Sequence, residues 1–326
     1  MNSSPSSKKV LLFFFVSVIA IGLVSYFIFN SYIQAIIITF MINAILALSL
    51  NFITGVADQF SLGQAGLMAI GAYTSAVLTK AFLDNQWYFA PGTILVGGVF
   101  AAIVGYLVSI PSFKLKGDYL AIVTLGMAEI IRVVFQNWDF VGGPRGYNAI
   151  AKFPDFLISY AIAVFLLATT FIVLVRLKHS WLGRNLWSIN EDDVAAEVMG
   201  VNLARNKRYA FIISSFFAGL AGGLYAHHVG YISPKSFSFF ISAQILITAV
   251  LGGLGSMSGS VIAALILTTT PELLRSLPTG NLDIRMIVFP ILLILMMILR
   301  PQGIFGRHEV FEFLRNRKLS QKKGEV

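Results

Sequence analysis

The chain has 326 residues, of which 57% are hydrophobic and 12% charged, and its mean hydropathy is +0.80. Because soluble domains carry about 25% charged residues, this composition excludes an ordinary soluble domain and predicts several membrane crossings. The net charge is +9, and the positive residues are concentrated in a few loops and the tail. This distribution is typical of the cytoplasmic loops of membrane proteins and does not indicate nucleic-acid binding. The absence of cysteine excludes disulfides and cysteine-based metal or redox sites.

The first predicted membrane helix covers residues 10–29 and follows Lys8 and Lys9. This apolar run is longer than a typical signal-peptide core and no small-residue cleavage site follows it, so we expect a retained helix. The later apolar runs are 32–54, 66–82, 90–110, 119–138, 157–177, 209–229, a broken stretch at 239–270, and 285–299. Since a crossing needs about 20 apolar residues, we expect an all-α polytopic fold with about eight to ten transmembrane helices and broken or re-entrant segments.

The basic residues predict the orientation of the chain. Lys and Arg accumulate in cytoplasmic loops, which places the tail 1–9, the charged insert 178–208 and the basic tail 301–326 in the cytoplasm. Residues 10–300 then form a single membrane domain. Six crossings between the N-terminal tail and the insert return the chain to the cytoplasmic side, in agreement with this orientation. The number of crossings does not decide whether 239–270 is two short helices or a re-entrant hairpin. Each half of that stretch is too short for an ordinary crossing.

Two glycine-rich segments, 54–66 and 251–259, interrupt the apolar helices. Irregular backbone is tolerated at membrane depth only where protein or a watery cavity satisfies it, and paired broken segments in a transporter mark the translocation pathway. The alternative is two tight turns at the membrane surface. The candidate pathway residues are Gln59, Ser61, Gln64, Gly253, Gly255 and Ser256, together with Glu129 from the span 119–138.

Glu129 and Arg132 are charged residues near the middle of a predicted span. Because a lone charge at that depth is costly, and because the i, i+3 spacing puts both side chains on one helix face, we expect them to pair. The pair is either structural or part of a gate that faces the substrate. Asn43 and Asn51 fit hydrogen bonds between helices better than ligand binding.

The insert carries a short predicted helix outside the bilayer. Asn190 is a suitable N-cap, and the acidic run 191–193 places negative charge in the first turn, where the helix dipole favours it. Gly200 suits the left-handed residue that ends many helices.

Val194, Val198 and Val201 give this short helix one apolar edge. A helix of this kind outside the bilayer indicates docking on a partner. The alternative is a solvated connecting loop.

No nucleotide-binding or catalytic motif occurs in the sequence. The P-loop pattern is missing, as are the zinc-protease and serine-hydrolase patterns. The adjacent His227 and His228 point to different helix faces, which disfavours a shared metal ion. We therefore predict no catalytic residue, no metal and no cofactor in this chain.

The insert resembles the cytoplasmic coupling loop of bacterial ABC-importer permeases and carries a diverged version of their acidic-Ala-Ala…Gly motif. The corresponding residues are Asn190, Glu191, Asp192, Asp193, Ala195, Ala196 and Gly200. From roughly residue 40 to 305 the chain is similar to the LivM-type permeases of branched-chain amino-acid ABC importers. The matching segments are 48–51 with 55, 61–65, 115–126 with 129–130, 142–144, 183–184, 218–222, and 252–256 with 259.

This resemblance implies a transport subunit in a bacterial cytoplasmic (inner) membrane, with both termini in the cytoplasm. Its implied partners are two ABC ATPase subunits that bind the ATP, a LivH-like second permease, an extracytoplasmic substrate-binding protein, membrane lipids and a branched-chain amino-acid substrate. ATP binding would move the 190–200 helix, and that motion would switch the broken segments between the two sides of the membrane.

One departure from the family is Asn190, which stands where an Arg usually precedes the acidic pair. Closely similar permeases transport urea or short amides, although segment 119–126 looks more like the amino-acid branch. Two competing hypotheses have different mechanisms: a proton-coupled secondary transporter that uses Glu129, and a membrane scaffold or membrane enzyme.

Overall fold

The computed structural model describes residues 30–112, 117–275, 303–304 and 306, and the described part is helical with one isolated β-bridge. Its α-helices are α1 (Ser31–Asn51), α2 (Gln64–Val77), α3 (Ala90–Ser112), α4 (Asp118–Gln136), α5 (Phe156–Lys178), α6 (Trp181–Glu191), α7 (Asp193–Val198), α8 (Leu203–Val229), α9 (Phe239–Gly252) and α10 (Met257–Arg275). Single π-helical turns, Phe52–Val56 and Leu78–Phe82, extend α1 and α2.

Seven helical segments in the described ranges are long and apolar enough to cross a membrane. They are Ser31–Val56, Gln64–Phe82, Trp87–Ile110, Tyr119–Gln136, Phe156–Lys178, Leu203–Val229 and Pro234–Gly252. The predicted all-α polytopic fold is therefore confirmed. The predicted spans 10–29 and 285–299 lie outside the described residues.

The stretch 239–270 differs from the prediction in its first half. The sequence predicts a half that is too short to cross, but a 3-10 turn at Pro234–Phe237 leads into α9, and the whole segment Pro234–Gly252 has 19 residues. The break that follows occupies residues 253–256, and α10 packs back against α9.

The core is centred on α8, which packs against α2 and α3. Small residues line these contacts, and the backbones of Gly71 and Gly219 approach so closely that a Cβ atom on Gly71 would lie 2.1 Å from the Gly219 carbonyl oxygen. Close backbone approach of this kind is how membrane helices gain packing energy without a hydrophobic driving force.

Residues 137–155, between α4 and α5, cover the end of the bundle opposite the insert, and we call them the covering segment. Tyr147 and Ile232 exchange backbone hydrogen bonds of 2.8 and 3.0 Å. Ile232 lies just beyond the C-terminal end of α8, and the insert leads into the N-terminal end of the same helix. His227 is fully buried there, with Nδ1 2.8 Å from the Ala151 carbonyl oxygen and Nε2 3.0 Å from the Ser75 hydroxyl. These contacts join α8 to the covering segment and to α2.

Candidate functional site: the junction of the insert and the broken helices

The two glycine-rich segments meet each other. A Cβ atom on Gly55 would lie 2.1 Å from the backbone nitrogen of Gly255, so only glycine fits at this contact. Gly253 and Gly255 have φ angles of 106° and 89°, which turn the chain sharply between α9 and α10. The two breaks therefore form one structure around Gly55 and residues 253–256, which we call the junction.

Asn51, the last residue of α1, ties this structure together. The two N–H groups of its Nδ2 share three acceptors: the carbonyl oxygens of Gly253 at 3.0 Å and Ser256 at 2.9 Å, and the hydroxyl of Ser260 at 2.5 Å. Its Oδ1 accepts from the Gly255 N–H at 2.7 Å. The side chain is fully buried, so these bonds satisfy groups that water does not reach.

The predicted hydrogen bonds of Asn43 and Asn51 to other helices are confirmed, but within the described part of the chain only Asn51 uses both the nitrogen and the oxygen of its amide for them. Asn43 Nδ2 on α1 donates to the Thr268 hydroxyl on α10 at 3.0 Å.

The insert touches both broken segments. Lys178, at the end of α5, is buried and donates from Nζ to the Gly255 carbonyl oxygen at 2.7 Å. Asn190 on α6 donates from Nδ2 to the Gly55 carbonyl oxygen at 3.3 Å, and the Trp187 ring packs over Gly255. Sequence reasoning missed Lys178 and Trp187, although a lysine that ends an apolar helix was a signal for the first.

The short helix α7 begins later than predicted. Asn190 is not its N-cap, because α6 continues through Glu191. The cap is Asp192, whose extended backbone (φ −158°, ψ 111°) separates the two helices and whose Oδ1 accepts from Val194 N at 2.8 Å and Ala195 N at 3.1 Å. An Asp at this position also meets the positive end of the helix dipole, and Asn190 is left free to contact Gly55.

The predicted end of this helix at Gly200 is confirmed. Gly200 has φ +83°, its N–H donates to the Glu197 carbonyl at 2.9 Å, and the Val201 N–H donates to the Ala196 carbonyl at 3.0 Å. This is the hydrogen-bond pattern of a Schellman motif. The chain then enters α8 through an Asn202 cap.

The outward side of α7 is apolar and exposed. Val194, Val198 and Met199 have 69%, 82% and 83% of their surface exposed, and we refer to these three residues, by the role proposed for them below, as the coupling face. The opposite side is anchored, since Ala196 is buried and Asp193 pairs with Lys207 of α8 at 3.2 Å. Exposed apolar residues on a fixed helix are typical of a protein interface.

The candidate pathway residues fall into three groups. Gly253, Gly255 and Ser256 lie in the junction described above. Gln59, Ser61 and Gln64 are buried before and at the start of α2, where Gln64 Nε2 donates to the Ser49 hydroxyl at 2.6 Å.

The third group is Glu129, which forms the predicted ion pair. Arg132 Nε lies 2.6 Å from Glu129 Oε2 on α4, with both side chains partly exposed. The structure does not bring this pair to the junction.

A cavity of about 210 Å³, which the sequence did not indicate, lies between α1, α2, α8 and α9. We call it the α1–α9 cavity. Its polar lining residues are Thr39, Asn43, Tyr225, Ser236, Gln244 and Thr248.

Residues 32–297 match the family described as branched-chain amino acid transport system / permease component. The high-affinity branched-chain amino acid transport system permease protein LivM of Escherichia coli (strain K12) is 36% identical over 295 residues, which cover 81% of this chain and 68% of LivM. The corresponding LivH of Salmonella typhimurium is 24% identical over 291 residues, covering 82% and 92% of the two chains. The probable LivM of Methanocaldococcus jannaschii is 22% identical over 348 residues, covering 90% and 99%.

No solved structure matches the chain. The family match covers most of the sequence and agrees with the seven apolar helices. The chain therefore belongs to the family of branched-chain amino acid transport permeases, as a multi-pass membrane protein of the LivM type.

Proposed function

We propose that this chain is one of two permease subunits of an ATP-driven importer for leucine, isoleucine and valine in a bacterial cytoplasmic membrane. The observation that supports this most directly is the position of the insert. One side of it contacts both broken segments through Lys178 and Asn190, and the other side presents the exposed coupling face.

We propose the partners from the family of the chain, and the exposed coupling face supports one of them. Two ATPase subunits bind and hydrolyse the ATP and dock on the coupling face, while this chain contributes no ATPase site, catalytic residue or cofactor. The similarity of the chain to both LivM and LivH supports pairing with a LivH-like permease. An external binding protein delivers the amino acid to the side opposite the insert. Residues 10–300 act as one permease domain between cytoplasmic tails.

Coupling runs through a short chain of contacts. Closure of the ATPases displaces α7 and α6, and Lys178 and Asn190 transmit this displacement to the carbonyl groups of Gly255 and Gly55. Asn51 then carries it into α1 and α9, because its side chain holds the break that follows α9. A rigid junction with two stable positions is what alternating access requires.

The test is uptake of radiolabelled leucine into proteoliposomes that contain this chain and its candidate partners, with and without internal ATP. Val198→Asp places a charge on the coupling face without disturbing the interior, since the side chain is 82% exposed. We expect ATP-dependent uptake in the wild type, and at least a tenfold loss together with loss of the co-purifying ATPase subunits in the variant.

The matched control is Phe140→Asp, the same kind of change at a 58% exposed residue on the covering segment at the other end of the bundle. It should retain the ATPase subunits. Uptake that does not depend on ATP but requires an ion gradient would contradict the proposed ATP-driven importer and would favour a proton-coupled role for Glu129. ATP-driven uptake of urea or an amide, without leucine uptake, would correct the cargo.

A further inference from the structure

We propose that the α1–α9 cavity is the site that holds the amino acid in transit, with its charged groups on Asn43 and Gln244 and its side chain against the apolar wall. This inference rests on the proposed function, because it names where that substrate binds. It moves substrate contact away from the broken segments, which serve as the coupling junction.

The size of the cavity fits one small solute. Sites for drug-sized ligands have volumes of roughly 300–1,000 Å³, whereas this cavity has about 210 Å³. Its apolar wall is made by Ile42, Leu46, Met68, Ile241 and Ile245. A branched aliphatic side chain gains burial against such a wall.

The polar lining suits a zwitterion. None of the described residues that line the cavity carries a charge. Each amide of Asn43 and Gln244 has N–H groups that donate to a carboxylate and a carbonyl oxygen that accepts from an ammonium group. A solute with a net charge would lack a counter-charge at membrane depth, so the lining selects against lysine and glutamate.

The two amides are also available. Among the described residues, the Gln244 side chain makes no hydrogen bond, and Asn43 uses one N–H for Thr268. Gln64 differs in its position: its Nε2 bonds the hydroxyls of Ser49 and Ser214 and its buried Oε1 has no partner among the described residues, but it does not line the cavity. Asn43 and Gln244 combine a place on the cavity wall with unused hydrogen-bonding groups, which is what a ligand contact requires.

The cavity is mechanically connected to the junction. Asn43 and Asn51 lie on α1, and their separation of eight residues corresponds to about 12 Å along the helix. Gln244 lies on α9, which ends at the break that Asn51 holds. A shift of Asn51 relative to Gly253 therefore changes the spacing of the two cavity walls, and this links substrate release to the insert.

Because the chain has no cysteine, a single introduced thiol reports on the cavity. We would place Ser236→Cys in the detergent-purified complex and follow its labelling by N-ethylmaleimide on this chain. We expect leucine and valine to slow the labelling, and lysine and glutamate to have no effect at equal concentration. Asn148→Cys, at an exposed position on the covering segment, is the control that leucine leaves unprotected.

Adding Gln244→Met to the Ser236→Cys variant keeps the length of the side chain and removes the amide. The leucine concentration for half-protection should rise roughly tenfold, the loss expected for one hydrogen bond to a charged group. Gln86→Met, at an exposed position outside the cavity, should leave it unchanged.

Three results would overturn the inference: no labelling of Ser236→Cys, labelling that leucine does not slow, or equal protection by all four amino acids. Failure of the proposed function is a separate result, because it requires that the wild-type complex show no ATP-dependent leucine uptake in proteoliposomes. Normal uptake without protection would remove only the binding site.

Discussion

At the scale of single residues, the junction is held together by polar side chains that the surrounding helices bury. Asn51 satisfies one backbone N–H and two carbonyl groups of a broken segment that lies more than 200 residues away in the chain. Lys178 satisfies the Gly255 carbonyl. Because an unpaired polar group in this environment is costly, these side chains fix the shape of the junction.

Replacing Asn51 with Ala should destabilise the protein more than replacing Asn43. The first change leaves several buried groups without partners, each worth about 1–3 kcal/mol, whereas Asn43 makes one hydrogen bond to Thr268 in a half-buried position. Thermal unfolding of the purified complex measures the difference. Equal losses of stability in the two variants would contradict the role assigned to Asn51.

At the scale of elements, the insert is two helices with a break at Asp192. Hydrogen bonds at both ends define α7, from the Asp192 carboxylate to the turn at Gly200. The result is a six-residue helix whose buried side is anchored and whose coupling face is presented outward. Such a short helix depends on its caps, because it has few internal hydrogen bonds.

Asp192→Ala should loosen α7, and Asn190→Ala should not. Loss of an N-cap costs about 1 kcal/mol, which corresponds to roughly fivefold faster local opening. Asn190 instead donates to Gly55, so its removal should affect coupling and leave the start of α7 intact. Hydrogen exchange of the amides in 194–200 distinguishes the two variants. Faster exchange in Asn190→Ala alone would restore Asn190 as the cap.

At the scale of the whole molecule, the bundle is held by backbone contacts around α8. A Cβ atom on Gly219 would lie 2.5 Å from the Ala101 Cβ and 2.9 Å from the Gly98 Cα, so α3 and α8 are packed as closely as glycine allows. The same helix connects the insert at one end to the covering segment at the other. In the mechanism proposed above, this rigid centre would transmit a displacement of the insert to the junction and the cavity.

Gly219→Ala should lower the melting temperature of the complex, because overpacking of this kind costs about 1–3 kcal/mol. The matched change Gly126→Ala meets no atom within 4 Å on α4 and should be neutral or stabilising, since alanine favours a helix by up to about 1 kcal/mol. Equal melting temperatures for the two variants would show that α8 is not packed in this way.

The sequence by itself determined the properties that depend on neighbouring residues. Hydropathy predicted six of the described spans, the i, i+3 spacing predicted the Glu129–Arg132 pair, and Gly200 marked the end of α7. These predictions held because apolar length, helix periodicity and left-handed backbone are local requirements of the chain.

The tertiary structure decided which distant residues meet. Asn51 and Gly253 are separated by 202 positions, and the α1–α9 cavity takes its lining from helices that are far apart in the sequence. It also brought Asn190 of α6 to the Gly55 carbonyl oxygen, which is 135 positions away in the chain. Packing between helices sets these distances, and no pattern within one segment encodes them.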